Sequence, residues 1–110
     1  MNESQLQDAI RLALGRDPSV AFFRNNIGYA VMARGGRVTF GVGGPGGSDL
    51  IGMILGRFAA LEVKTPTGRQ SPEQRQFQAL VESKGGIYLL ARSVEDAIAM
   101  VATAKERHAP

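Results

Sequence analysis

The sequence predicts one domain of the mixed α/β class, in which a mixed β-sheet is flanked by helices. The first observation is size, because 110 residues, 44% hydrophobic and 21% charged, suit a single globular domain. The second is periodicity, because apolar residues recur at helical spacing at both ends of the chain and once before the last predicted strand. The third is the middle of the chain, where short apolar runs alternate with glycine-rich breaks, which is typical of strands.

The first half of the chain is predicted to hold one helix and three strands. The helix covers residues 1–15, with Asn2 or Ser4 as its cap. Gly35-Gly36 is a strong signal for a hairpin turn between the second and third strands. The glycine-rich segment 41–47 then leads into the next strand. The three extended segments are residues 19–24, 29–33 and 37–40.

The second half is predicted to hold a hairpin, a helix, a strand and a closing helix. Residues 65–69 form a turn, and a capping box begins the next helix, with Ser71 as the cap, Pro72 in the first turn and Gln74 closing the box. A buried strand at 87–91 precedes the last helix, which begins after Ser93. The side chains predicted to face the core from these two helices are Phe77, Leu80, Val81, Val94, Ala97, Ile98, Val101 and Ala102.

The composition excludes several classes of protein. The chain has no cysteine, so disulfides and thiolate metal sites are excluded. It has no apolar run of membrane-spanning length and no signal peptide, so we expect a cytoplasmic location and no membrane partner. The only histidine, His108, lies near the end of the chain, so histidine-based catalysis has no support. The formal charge of +3 is compatible with a phosphate-backbone partner but does not require one.

Between Asp49 and Lys64 the sequence predicts a β-hairpin. Its strands are residues 49–55 and 58–63, and Gly56-Arg57 is predicted to form a two-residue turn of type II′. Such a turn has an even number of residues, and this number decides which side chains share a face of the sheet.

In that register, three charged side chains lie on one face of the hairpin. Asp49 is opposite Lys64, and Ile51 is opposite Glu62, with Asp49 and Glu62 roughly 7–8 Å apart at the backbone. An odd-numbered loop would place Asp49 on the other face. The sequence therefore predicts two carboxylates and a lysine converging at the open end of the hairpin.

Two adjacent carboxylates repel each other unless a cation lies between them. Carboxylate oxygens with a backbone carbonyl, here that of Val63, are the ligands that Mg²⁺ or Mn²⁺ prefers. Lys64 could orient a water or stabilise charge on a phosphate. The alternative is that Glu62 and Lys64 form an exposed charge pair on an amphipathic strand.

The glycine-rich segment also fits a nucleotide-binding pattern. Gly41, Gly43 and Gly46 match G-x-G-x-x-G. A dinucleotide site requires a helix directly after the glycines, whereas a strand is predicted here, and Pro45 lies within the motif. A strand connector is the favoured interpretation, a loop that approaches DNA phosphates is second, and nucleotide binding is the weakest.

Asp49, the tripeptide Glu62-Val63-Lys64 and the helix start QSPEQ at 70–74 resemble the pattern of PD-(D/E)XK nucleases. Together with the segment GGSDLIG, they are most similar to the VRR-NUC (virus-type replication-repair nuclease) family in its small stand-alone, phage-like form. The resemblance covers the chain from Glu3 to the closing helix.

The resemblance implies a restriction-endonuclease-like fold and a Mg²⁺- or Mn²⁺-dependent DNA endonuclease. It implies that Glu3 joins Asp49, Glu62 and Val63 at the metal, although an acid in a first helical turn is also favoured by the helix dipole. It implies that Gln74 contacts Lys64 or the attacking water, although the capping box alone explains that residue. Branched or junction DNA, a homodimer and a phage or bacterial host cytoplasm follow from the same resemblance.

The expected contacts to the DNA backbone come from arginine side chains. The candidates are Arg24, Arg34, Arg37, Arg57, Arg69 and Arg75. The alternative function is a catalytically silent module of the same fold that binds DNA or acts in assembly.

Overall fold

In the computed structural model, which describes residues 1–110, four strands form a mixed sheet flanked by three helices. The predicted fold class is confirmed, and the helices and strands lie close to the predicted ranges. The helices are α1 (Glu3–Leu14), α2 (Pro72–Ser83) and α3 (Val94–His108). The sheet strands are β1 (Val20–Arg24), β4 (Leu50–Ile54), β5 (Arg57–Val63) and β6 (Ile87–Ala91), and a separate hairpin is formed by β2 (Gly28–Val31) and β3 (Arg37–Phe40).

The strands of the sheet lie in the order β1-β4-β5-β6. β4 pairs antiparallel with β1 and with β5, whereas β6 is parallel to β5. Helix α2 lies between β5 and β6 in the chain and supplies the crossover that a parallel pair requires. The hairpin β2–β3 pairs with no strand of this sheet.

The turn between β4 and β5 differs from the prediction. Its residues are Leu55 and Gly56, with φ of 50° and 78°, so Ile54 pairs with Arg57. Positive φ at both positions is the type I′ geometry, whose twist matches that of the flanking strands. The predicted Gly56-Arg57 turn and the predicted pairings are therefore wrong by one residue on each strand. The loop still has two residues, so the predicted faces are unchanged.

One face of the sheet is covered by α1 and α3 and holds the main core. The strand side chains that point into it are fully buried and include Leu50, Leu61 and Val63, which lie on the face opposite to Asp49 and Glu62. From the helices, the core receives Leu6, Ile10, Leu14, Ala97, Val101 and Ala104. These aliphatic side chains are the principal hydrophobic contribution to folding.

The opposite face is only half covered. Helix α2 packs Phe77 and Val81 against Ala60 and Tyr88, on β5 and β6. No helix covers this face over β1, β4 and the beginning of β5, and the large apolar side chains there are exposed. They are Phe23 at 58%, Met53 at 48% and Phe58 at 42%.

The helix boundaries follow the predicted capping signals. Asn2 and Ser71 each begin a helix with a complete capping box, and the Ser93 side chain accepts a hydrogen bond from the backbone of α3. Three predicted core positions are wrong, since Leu80, Ile98 and Ala102 are exposed. The helices bury narrower stripes than the predicted ones, and neighbouring positions on the same helix face solvent. None of the helices is both long enough and apolar enough to cross a lipid bilayer.

Candidate active site

The centre of the candidate site is a pair of carboxylates at the ends of adjacent strands. Asp49 directly precedes β4, and Glu62 is the penultimate residue of β5. Continuing the observed register by one residue places Asp49 opposite Glu62, on the same face. The Val63 backbone N–H donates a 2.8 Å hydrogen bond to Asp49 Oδ2, which fixes the aspartate side chain at this edge.

Glu62 is buried in a way that ordinary surface acids are not. Its side chain is 2% exposed, so the alternative of an exposed Glu62–Lys64 charge pair is wrong. Its Oε2 atom is inaccessible to solvent and has no hydrogen-bond partner. Burial, more than the adjacent Asp49 carboxyl and the charge of Glu3, raises the pKa of Glu62 to about 9, against an opposing effect of Lys64. Without a cation, Glu62 is therefore protonated at neutral pH.

This pair fits a hard divalent cation. Ionising Glu62 would place a second charge beside Asp49 on a buried oxygen with no hydrogen-bond partner, and a bound divalent cation would compensate this cost. The N–H of Val63 points to Asp49, and the carbonyl of a strand residue leaves on the same edge as its N–H. The Val63 carbonyl is thus directed toward the side of β5 on which Asp49 lies.

Glu3 is less closely associated with the pair than the resemblance implies. It lies in the exposed first turn of α1, and its charge still acts on Glu62. No three acidic or other metal-ligating side chains are grouped closely enough to share an ion. The structure therefore brings Asp49 and Glu62 together. Glu3 lies farther away and affects Glu62 only through its charge.

Lys64 lies near enough to the pair for its charge to act on Glu62, whereas Gln74 lies in the first turn of α2. Lys64 directly follows β5, and its backbone N–H donates to the Ala91 carbonyl, which holds this residue beside β6. Gln74 Oε1 accepts a 2.8 Å hydrogen bond from the Ser71 N–H, as the capping box predicted. The amide nitrogen of Gln74 makes no hydrogen bond within the chain and can donate to another acceptor.

A group of polar side chains that was not predicted from the sequence lies beside the carboxylates. Gln70 Nε2 donates to the Tyr88 hydroxyl at 3.1 Å and to Gln78 Oε1 at 2.9 Å. Burial is the main factor that raises the pKa of Tyr88, and the charges of Glu62 and Asp49 contribute. Tyr88 was not predicted as a site residue because the other residues of its strand are all apolar. A buried tyrosine generally needs a hydrogen-bond partner for its hydroxyl. That requirement was the available signal.

The glycine-rich segment 41–47 brings Ser48 and Asp49 under the start of α2. A Cβ on Gly46 would lie 2.2 Å from the Glu73 carbonyl oxygen, and one on Gly47 would lie 2.0 Å from the Val42 carbonyl oxygen. Glycine is therefore required at both positions by close backbone packing. This explains the glycines without a nucleotide, and it agrees with the favoured interpretation of a strand connector.

The predicted arginines are distributed over the surface. Arg57 and Arg75 donate to the carbonyls of Gly85 and Gln70, at 3.3 and 2.9 Å. Arg24, Arg34, Arg37 and Arg69 are exposed. One arginine was missed, since Arg92 donates to the Thr65 and Gly68 carbonyls at 2.7 and 2.6 Å and so fixes the turn that follows Lys64.

Comparison with known proteins adds no family to this description. No protein-family model matches the chain, and no curated protein is similar to it at a significant level. The function of this chain is therefore inferred from its residues and their geometry.

Proposed function

We propose that this chain is a divalent-metal-dependent DNA endonuclease of the PD-(D/E)XK type, with a VRR-NUC-like, restriction-endonuclease-like fold. The observation that carries the proposal is the pair of half-buried Asp49 and buried Glu62, in which Glu62 Oε2 has no hydrogen-bond partner, with Lys64 two residues after Glu62. Two adjacent acids, one of them buried and protonated in the free protein, can both ionise when they bind a divalent cation.

Asp49, Glu62 and the Val63 carbonyl would hold Mg²⁺ or Mn²⁺, with Glu3 acting through its charge. The chemistry that the bound ion supplies is polarisation of a phosphoryl oxygen and acidification of a water molecule. Lys64 would place its ammonium group against the phosphate, where negative charge accumulates in the transition state. The free amide nitrogen of Gln74 would orient the water. Hydrolysis adds that water to phosphorus and releases the bridging oxygen as an alcohol.

A metal-dependent cleavage assay tests the proposal. Purified protein is incubated with labelled linear, flap and four-way-junction DNA, with EDTA, Mg²⁺ or Mn²⁺. We expect cleavage only with metal, its loss in Asp49→Asn and Glu62→Gln, and weaker Mn²⁺ binding by calorimetry in both. DNA binding without cleavage in every metal would favour the silent module. Binding of ATP or NAD would instead favour a nucleotide-binding protein.

The preference for branched DNA and the homodimer belong to the same proposal. The dimer is supported by the uncovered part of the sheet, where Phe23, Met53 and Phe58 are about half exposed on the same face as the carboxylate pair. Exposed apolar patches of this kind mark interaction surfaces. Light scattering on Met53→Lys/Phe58→Lys tests it, since two charges on the patch should convert a dimer to a monomer. A wild-type monomer at all concentrations would refute the dimer.

A further inference from the structure

The hairpin β2–β3 projects from the domain as an arm, defined here as residues 25–48. Every residue from 29 to 43 is exposed, and the two strands pair only with each other. The molecule is accordingly elongated, with principal extents of 49, 33 and 25 Å. A lone two-stranded hairpin is marginally stable in water, so an arm of this kind is most readily explained by a partner that it binds.

The charge of the arm indicates an anionic partner. Between Asp17 and Asp49 the sequence has no acidic residue and three arginines, Arg24, Arg34 and Arg37. Their charge equals the formal net charge of +3 of the whole chain, so the remaining residues are neutral overall. The positive charge is thus concentrated on the arm and at its base, beside the carboxylates.

One face of the arm combines an arginine with an aromatic ring. Tyr29, Val31, Arg37 and Thr39 share one face, and the Arg37 guanidinium lies 4.5 Å from the centre of the Tyr29 ring. This stacked pair presents guanidinium donors and an aromatic ring to the same ligand, which is the combination that binds phosphates and bases. A two-stranded ribbon also has the width that the major groove of duplex DNA admits.

The base of the arm is fixed to the candidate site through Asn25. Its side chain donates to the Val42 and Ser48 carbonyls at 2.8 and 2.9 Å and accepts from the Val42 N–H. Its backbone N–H donates to the Asp49 carbonyl at 2.9 Å. The arm therefore has a defined direction relative to the carboxylates. From Asn25 to the tip, an extended strand reaches roughly 25 Å, which corresponds to about seven base pairs.

We propose that the arm is a nucleic-acid-binding element that holds DNA roughly two thirds of a helical turn away from the carboxylate pair. The location of cleavage rests on the proposed nuclease function, whereas binding by the arm does not. A second copy of the chain is the competing partner. Arm-to-arm packing would bring two acid-free, positively charged segments together, and this repulsion disfavours it.

The test compares Arg34→Ala/Arg37→Ala with wild-type protein and with Arg16→Ala/Arg107→Ala. The control removes the same charge from exposed positions outside the arm. Binding of a labelled 30-base-pair duplex is measured by fluorescence anisotropy in EDTA, at several salt concentrations. Thermal melting and light scattering check that each variant is folded and has the wild-type oligomeric state.

We expect the slope of log K against log salt on this duplex to fall in magnitude by about 2 in the arm variant, since each lost phosphate contact removes about 0.9. The control should keep the wild-type slope on the same duplex. An unchanged slope in the arm variant overturns the inference, as does a change from dimer to monomer with DNA binding retained. Wild-type protein that never cleaves but shows the expected slopes refutes the nuclease and leaves the arm inference standing.

Discussion

Replacing Glu62 with glutamine should change how the stability of the metal-free protein depends on pH. The pKa of Glu62 is about 9 in the folded chain and near 4.5 when the chain is unfolded. Between these values the folded state holds a proton that the unfolded state releases. The free energy of unfolding of wild-type protein therefore falls as pH rises through this window. Glutamine has no such proton, and its amide can donate to Asp49.

The size of the effect follows from the same shift. Well inside the window the slope is at most about 1.4 kcal/mol per pH unit. From pH 5.5 to 7.5 the wild-type protein should lose up to about 2.7 kcal/mol relative to Glu62→Gln, which corresponds to a relative change in Tm of roughly 10 °C for a domain of this size. The window of Asp17, whose pKa is lowered from 3.8 to about 2, lies below this range and does not interfere.

The assay is urea unfolding in EDTA at pH 5.5, 6.5 and 7.5, with Glu82→Gln as the control. Glu82 is an exposed acid on α2, so its substitution changes the charge without changing a buried group. When EDTA is replaced by Mn²⁺ at a hundredfold excess over Kd, the free energy of unfolding of wild-type protein at pH 7.5 should rise by about 2.7 kcal/mol. The same ion should have little effect on Glu62→Gln.

Parallel stability curves for wild-type protein and Glu62→Gln across this pH range would refute the reasoning. Such a result means that Glu62 is ionised in the free protein and that its carboxylate is compensated within the chain. Wild-type protein that Mn²⁺ does not stabilise at pH 7.5 would refute the cation site specifically.

Three further predictions concern other parts of the molecule. Lys64→Ala and Lys64→Arg should both lose DNA cleavage, because an ammonium group at the phosphate acts in the transition state, and both should retain metal binding in calorimetry and DNA binding in anisotropy. A wild-type cleavage rate in Lys64→Ala would show that the residue is only a surface charge. Gly46→Ala should lower the free energy of unfolding by roughly 1–3 kcal/mol, because its Cβ would meet the Glu73 carbonyl oxygen at 2.2 Å, and an unchanged urea midpoint would contradict this packing. Asp17→Asn should lower the free energy of unfolding by about 1 kcal/mol at pH 7 through loss of the Lys105 ion pair, and this difference from wild-type protein should vanish as pH falls through 3.8 to 2. A double-mutant cycle with Lys105→Met measures the coupling between the two residues, and additive effects would exclude such coupling.

The local structure of this protein could be predicted from its sequence because short-range chemistry specifies it. The two capping boxes at Asn2 and Ser71, the hairpin at Gly35-Gly36 and the strand at 87–91 depend on neighbours within a few residues. The shared face of Asp49 and Glu62 was equally predictable, because it depends only on an even number of residues in the turn.

The exact turn could not be predicted. Gly56 suits both the II′ turn expected at Gly56-Arg57 and the I′ turn observed at Leu55-Gly56. The observed choice places Leu55 in the left-handed region, which costs about 1–2 kcal/mol for a residue with a Cβ. Strand pairing offsets that cost. The register of β4 must also allow pairing with β1, and that of β5 must allow pairing with β6, which is distant in sequence.

The sequence by itself thus determined the fold class, the elements and the face on which the two acids meet, because these follow from periodicity, capping and the parity of one turn. The tertiary structure alone decided that Glu62 is buried with an unpartnered oxygen, that Tyr88 and Gln70 lie beside it, and that residues 25–48 project as an arm. These properties depend on which surfaces α2 covers and which it leaves open. That coverage is a balance of packing between segments far apart in the chain, and no local pattern encodes it.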